Sequence, residues 1–291
     1  MFDINTIGKG GVRDNPDKRD YRAEVVMGAV PLPERFSVED VIGKLKVEHQ
    51  GKSGSCVAQA WAKYVEALNK KETNGFTDLS AKDIYSLIYI PELSGGAYIR
   101  DGAKKLVSSG VLLEQDMPSY EGGNPPSEAY MRNRPLITEE VQEKGMAYLA
   151  KSYVRLPSSS FEGVKQAIYQ NLGCIIGFYG DNPGWTQFGG IIRPPQHNDW
   201  AHVVYAVGFD NDKIKFINSW GEEWGTNGYG YVGQDYFRTD NNGYAYWVFN
   251  PWTIMDLPNG TYPHLKHQIL QATELLKRLA EQVKNLLSKK K

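Results

Sequence analysis

Between Cys56 and Lys70, in the run CVAQAWAKYVEALNK, apolar residues recur at spacings of three and four, so that Val57, Ala60, Trp61, Tyr64 and Leu68 share one face. That period predicts an amphipathic helix, with Ser53 or Ser55 placed as its cap. Similar patterns predict helices near 80–90, 98–109 and 161–170. The period then changes. GCIIGFYG (173–180), AHVVYAVGFD (201–210), KIKFINSW (213–220) and GYGYVGQDYF (228–237) are β-rich runs bounded by Gly, Asp and Asn. Helices first and strands afterwards predict an α+β chain with two lobes: a helical one over roughly 36–130 and an antiparallel sheet or half-barrel over roughly 131–255. The stretch 117–135, with four prolines and the adjacent Gly122 and Gly123, reads as the connection between them. The junction of two such lobes is a common place for a site.

The two ends of the chain read differently. Residues 1–30 are rich in Gly, Asp, Lys and Arg with little periodicity, and predict an extended arm lying on, or leading into, the folded body. In the C-terminal segment, 256–291, Leu265, Ile269, Ala272, Leu276, Leu279, Val283 and Leu286 alternate spacings of four and three, with Leu270, Leu275 and Leu287 widening the apolar stripe. This amphipathic helix has two readings: a terminal helix docked on its own domain, or a short coiled coil that assembles a homo-oligomer through 265–287.

Composition narrows the function classes. A net charge of −1 over 291 residues gives no electrostatic argument for a nucleic-acid or membrane partner. Two cysteines cannot make a disulfide framework, and no run of 18 uncharged apolar residues is present. The N-terminus carries no apolar stretch of signal-peptide length, so the expectation is a cytoplasmic protein of a reducing compartment, or a virion-associated one if the source is viral. No His, Cys or Asp cluster has zinc spacing, and GTNGYG does not fit a nucleotide-binding loop; neither metal nor cofactor is expected.

Cys56 follows the turn GKSGS and opens the predicted helix, where the positive helix end favours a thiolate. A nucleophilic thiol also needs an imidazole. Of five histidines, His202 is the best placed, because it opens the apolar strand HVVYAVGF. A short hairpin loop centred on Asp210 would set Asn218 opposite His202 on the same face, where its amide oxygen would orient the ring. Trp220 would share that face and shield the bond. Gln50, six residues before Cys56, would supply an amide N–H, beside the Cys56 backbone N–H, for a developing oxyanion. Each residue taken singly is ordinary structural chemistry; the joint spacing carries the argument.

The segments QGKSGSCVAQAWA, WAHVVYAVGF and INSWGEEWGTNGYGYV together resemble the papain family of cysteine peptidases, over about residues 31–255. His202 follows Cys56 by 146 residues and Asn218 follows it by 162. The resemblance implies a papain-like two-lobed fold and a peptide or protein substrate. It implies Cys56 as nucleophile, His202 as general base and acid, Asn218 as orienter and Gln50 as oxyanion donor. It makes Trp220 the tryptophan covering the Asn–His contact, and Gly95 and Gly96 the glycine pair contacting the substrate backbone. Ser53 stands where secreted members have a disulfide cysteine, and Val57 replaces the aromatic residue after the nucleophile. Cys174, in a core-like strand, reads as a buried thiol. Instead of a long helical pro-segment, the chain has the short lead-in Asp17-Lys18-Arg19-Asp20-Tyr21 of bacterial and viral relatives, so latency would come from the arm, the C-terminal helix or assembly. Two other outcomes fit the same residues: acyl transfer or ligation by Cys-His-Asn, and a catalytically silent binding module displayed through the C-terminal helix.

Overall fold

The computed structural model describes residues 2–255 apart from 24–26, 187–189 and 244. The heptad segment 265–287 lies outside the described residues. The helices are α1 (Val38–Ile42), α2 (Cys56–Thr73), α3 (Ala81–Ile88), α4 (Ile99–Ser109), α5 (Glu128–Arg132), α6 (Glu139–Gly145), α7 (Phe161–Asn171) and α8 (Asn182–Trp185). The strands are β1 (Gly11–Val12), β2 (Arg35–Ser37), β3 (Ala97–Tyr98), β4 (Tyr153–Arg155), β5 (Cys174–Gly180), β6 (Ile191–Ile192), β7 (Trp200–Asp210), β8 (Lys213–Ile217), β9 (Tyr229–Gly233) and β10 (Val248–Ile254).

α2 is the helix anticipated from the apolar spacing, lengthened to Thr73. It ends at Asn74 in the left-handed conformation, whose N–H donates to the Lys70 carbonyl. Lys70 and Lys71 sit in its last turn, where cations complement the negative helix end. Residues 56–67 are buried throughout, because α2 packs against the sheet as well as against α3 and α4. Its buried polar positions are matched internally: the Lys63 ammonium meets Glu66 and Glu48, and Glu66 accepts the Leu79 N–H at 2.9 Å. A buried charge is tolerated only with such partners.

The main sheet runs β4-β10-β5-β7-β8-β9-β6 among the described residues, with β2 pairing to β7; β6 and β9 are parallel and the other pairs antiparallel. β7 pairs along β5 from Trp200 to Ala206, and its near-continuous apolar run is buried from His202 to Phe209. α2 and α7 both pack against this strand, which explains why AHVVYAVGF does not alternate. After the proline-rich stretch the chain stays with the helices through α6, whose Gly145 carbonyl accepts the Val111 N–H, and it reaches the sheet at β4. β10 has no counterpart among the strands anticipated from sequence. Its VFNPWTI run contains Pro251 and pairs to β5 with a register shift between Phe249 and Trp252, the kind of interruption proline imposes on a strand.

Candidate active site

The turn before α2 is fixed by hydrogen bonds between its backbone and side chains. Ser53 Oγ donates to the Gln50 carbonyl at 2.6 Å, and the Gly54 N–H donates to Glu128 Oε2 at 2.7 Å. Gly51 has φ +59°, and a Cβ there would lie 2.3 Å from the Pro126 carbonyl oxygen. This tight path delivers Cys56 as the first residue of α2, at its positive end. The Ser53 hydroxyl also hydrogen-bonds the Ser55 hydroxyl at 2.7 Å, so the position of a disulfide cysteine in secreted members is held here by hydrogen bonds.

His202 sits on β7 and its Nε2 meets Asn218 Oδ1 at 2.7 Å. The partnership arises differently from the direct cross-strand opposition expected. The hairpin closes with Asp210 opposite Lys213, and a register shift between Ala206 and Gly208 leaves Tyr205 facing Ile217. Asn218 is therefore a diagonal neighbour of His202, just past the end of β8, where its N–H donates to the Gly228 carbonyl in continuation of the β8–β9 register. Trp220 is fully buried with its ring 4.5 Å from the imidazole, the covering position anticipated for it. With Nε2 committed to Asn218, the buried Nδ1 is left without a hydrogen-bond partner and is the ring atom available to exchange a proton with a thiol. The backbone N–H of Val203, next along β7, points at the Cys56 sulfur, which brings β7 and the head of α2 together.

Gln50 is pinned from both ends. Its Oε1 accepts the Ser219 hydroxyl at 2.6 Å, and its Nε2 donates to the Ser53 carbonyl at 2.8 Å and to the Gly8 carbonyl at 2.9 Å. Gly8 belongs to the N-terminal arm. That arm runs through the cleft: the Gly8 N–H donates to the Gly51 carbonyl at 3.0 Å, the Gly10 N–H points at the Cys56 sulfur, and the Ala97 N–H donates to the Gly10 carbonyl at 2.9 Å. β1 then pairs in parallel with β3, Gly11 facing Ala97 and Val12 facing Tyr98. Lys9 places its ammonium 5.7 Å from the Trp200 ring and 5.8 Å from the Trp220 ring. Cys56 and His202 are completely covered.

The arm fits because it lacks side chains where it crosses. A Cβ on Gly8 would stand 2.0 Å from the Ser53 carbonyl oxygen, and one on Gly10 would stand 2.1 Å from that of Gly54. The opposite wall is equally tight: Gly96 has φ +126°, and a Cβ there would meet the Gly10 carbonyl oxygen at 2.8 Å. Gly96 thus makes room for a strand in the cleft, while a Cβ on Gly95 would face Glu128 Oε2 at 3.2 Å and Gly54 Cα at 3.4 Å. The backbone donor to that strand is Ala97, since the Gly96 N–H is used by the Tyr85 hydroxyl at 2.9 Å and its carbonyl by the Ile90 N–H. The glycines of IGKGGV (7–12) are the sequence signal for this docking; their spacing matches where side chains are excluded.

Coverage sets the electrostatics. Burial pushes the Cys56 thiol up to about 11, against the pull of the backbone N–H groups of Val203 and Gly10. Burial lowers His202 to about 3, partly offset by Asn218 and reinforced by the Lys9 ammonium. With the arm docked, the pair is a neutral thiol beside a neutral imidazole. Cys174 is a free, buried thiol on β5, facing Ala206.

A thiol at a helix start, an imidazole and an amide on an adjoining sheet, and a cleft between them define a two-lobed protein of the Cys-His-Asn class. The chain belongs to the papain family of cysteine proteases, whose family model matches residues 32–246. A cysteine protease of Blomia tropicalis is 27% identical over 216 residues, covering 69% of this chain and 61% of that protein. An uncharacterized peptidase C1-like protein of Acanthamoeba polyphaga mimivirus is 25% identical and covers 87% of this chain and 90% of its own length. Among solved structures, xylellain, a cysteine protease from Xylella fastidiosa, has a TM-score of 0.69 at 22% identity and covers 87% of this chain and 97% of that chain. No helix among the described residues is long and apolar enough to cross a membrane.

Proposed function

We propose that the protein is a cysteine peptidase held latent by its own N-terminal arm. The observation that carries this reading is the Gly8 carbonyl on Gln50 Nε2, beside a Cys56 and a His202 with no exposed surface. Gln50 Nε2 is the donor an oxyanion would need, and in this state a carbonyl of the arm holds it.

With the arm displaced, water and the positive end of α2 let the proton pass from Cys56 to His202 Nδ1, giving thiolate and imidazolium. The sulfur attacks the scissile carbonyl carbon, and the electron pair moves onto oxygen, held by Gln50 Nε2–H and the Cys56 N–H. Collapse breaks the C–N bond, His202 gives its proton to the leaving amine, and a thioester remains on Cys56. His202 then takes a proton from water, whose oxygen displaces the sulfur and releases the acid. Asn218 Oδ1 keeps the ring in orientation throughout, behind Trp220.

A thiol-directed epoxide tests the reading together with Gly10→Val, a substitution in the arm that the Gly54 carbonyl excludes from the cleft. The expected result is slow labelling of the unaltered chain, fast labelling and peptide hydrolysis by Gly10→Val, and neither when Cys56→Ala is added. His202→Ala in the same background should lower hydrolysis by about 10²–10⁴-fold, the scale of general acid–base catalysis. Labelled Cys56 without turnover across a peptide library would overturn the peptidase reading. The heptad spacing of 265–287 supports self-association of this enzyme, to be read by sedimentation. The two free cysteines support a reducing compartment.

A further inference from the structure

Beyond the catalytic pair, the arm does something the reaction does not require: it buries a carboxylate. Asp14 lies two residues past β1, and the parallel register Gly11–Ala97 and Val12–Tyr98 continues to set Asp14 beside Arg100, in the first turn of α4. The Arg100 N–H donates to Asp14 Oδ1 at 3.1 Å, and the Trp252 indole N–H on β10 donates to Oδ2 at 2.8 Å. The Asp14 N–H donates to Oδ1 of the buried Asn250 at 2.8 Å. The Arg100 guanidinium lies 5.7 Å from the Trp252 ring, its buried Nε has no hydrogen-bond partner, and its Nη2 donates to the Asn15 carbonyl and to Asp20 Oδ2, each at 2.7 Å. Arg155 on β4 approaches the same Asp20 oxygen at 3.6 Å.

Asp14, Asn15 and Asp20 all belong to the arm, while the groups they satisfy belong to the walls of the cleft. Once the arm leaves, those walls keep an indole N–H, a backbone N–H, two guanidinium groups and an amide oxygen, the last placed for a backbone N–H. Those groups then turn to water, and the strong acceptor that displaces it from guanidinium and indole N–H together is a carboxylate. A peptide strand laid along β3 reaches this place as the arm does.

We propose that Arg100, Trp252 and Asn250, with Arg155 at the rim, form an acid-recognising subsite, so that the open enzyme selects peptides carrying an Asp or Glu side chain at one fixed distance from the scissile bond. Asp14 occupies that subsite in the closed state as the arm's imitation of the substrate side chain. This rests on the peptidase reading above and narrows it to a substrate class.

A positional-scanning peptide library digested by full-length Gly10→Val tests it. At one position, Asp and Glu should be preferred over Asn and Gln by about tenfold, the scale of one charge-assisted hydrogen bond. Arg100→Gln in that background should flatten the ratio. Equal turnover of acid and amide peptides, or an acid preference that survives Arg100→Gln, would show that these residues serve only to anchor the arm and would overturn the proposal. Gly8→Val provides a second way to empty the cleft should Gly10→Val fold poorly. Protection of Cys56 from alkylation by the same acid and amide peptides separates the two failures. Acid-selective protection without hydrolysis refutes the peptidase reading and leaves the subsite standing; non-selective protection refutes the subsite.

Discussion

The arm is held in two places by two kinds of contact. From Ile7 to Val12 it is held by shape: backbone hydrogen bonds to Gln50, Gly51 and Ala97, with carbonyls and glycines packed so closely that Gly8 and Gly10 have no room for a methyl group. From Asp14 to Tyr21 it is held largely by charge: Asp14 between an indole and a helix start, Asp20 between two guanidinium groups, and a backbone bond from Arg155 to the Tyr21 carbonyl. The first stretch lies over Cys56 and His202 and the second beside them. Shape excludes everything but this backbone, whereas charge pairs yield to a competing acid, to salt or to protonation. A plug fixed by shape and a latch fixed by charge make release a matter of the latch.

The widest break comes at the plug. Gly10→Val, with its Cβ 2.1 Å from the Gly54 carbonyl oxygen, should raise the rate of Cys56 alkylation at least about hundredfold, since a backbone clash leaves the arm no docked conformation. An unchanged rate would place the barrier to Cys56 somewhere other than the arm.

pH should act next, and at both ends. In the docked state the pair holds one proton, on the thiol, from about 3, where His202 titrates, to about 11, where Cys56 does. The open pair also holds one proton in the middle of that range, moved onto the imidazole, so the pair itself adds no pH dependence there. In acid the open state takes up a second proton that the docked imidazole refuses. In base it loses the proton that the docked thiol keeps. The pair's own contribution to docking therefore weakens as pH falls toward about 3 and as it rises toward about 11, by up to about tenfold per pH unit at each end, while the arm's Asp14, raised by burial, and Lys9, lowered by burial, act in the opposite sense at the acid and basic ends. NMR signals of Gly8, Gly10 and Gly11 followed against pH in the unaltered chain and in Cys56→Ala would isolate the pair, and the same pH response in both would refute this linkage.

Breaking the latch should do less. Asp14→Ala leaves the Trp252 indole N–H and the Arg100 N–H without their acceptor, at a cost of about 1–3 kcal/mol. Alkylation of Cys56 should then rise about tenfold, well short of Gly10→Val. A rise as large as that of Gly10→Val would make the latch, not the plug, the seat of closure.

How much of this was legible beforehand depends on the kind of contact. Cys56, His202, Asn218 and Gln50 carry the spacing that resembles the papain family, and the structure brings His202 to Asn218 and Gln50 to the turn before Cys56. The hairpin register was misplaced because the turn falls on Asn211 and Asp212 and is not centred on Asp210, and the one-residue shift between Ala206 and Gly208 leaves no mark in the apolar run AHVVYAVGF. β10 escaped notice because Asn250 and Pro251 interrupt its pattern. The path of the arm was hidden for another reason. Glycines at 8, 10 and 11 ordinarily signal a flexible segment, and their role as spacers is visible only against the walls they pass. Asp14 and Arg100 are unremarkable until folding sets them side by side.

The smallest expected effect bears most directly on the charge side of the comparison. Asp20 bridges Arg100 at 2.7 Å and Arg155 at 3.6 Å, and its carboxylate is largely buried while the Arg155 side chain stays partly exposed. Asp20→Asn keeps the shape and removes the charge, so the loss is about that of a partly screened ion pair, near 1 kcal/mol, and alkylation of Cys56 should rise about threefold to fivefold. Added salt should produce part of the same rise in the unaltered chain, by screening these charges, and should produce less in Asp20→Asn, where there is less to screen. Gly10→Val should be indifferent to salt, its arm already out. If salt accelerates labelling equally in the unaltered chain and in Asp20→Asn, the contacts from Asp14 to Tyr21 do not act through charge, and the division into plug and latch falls.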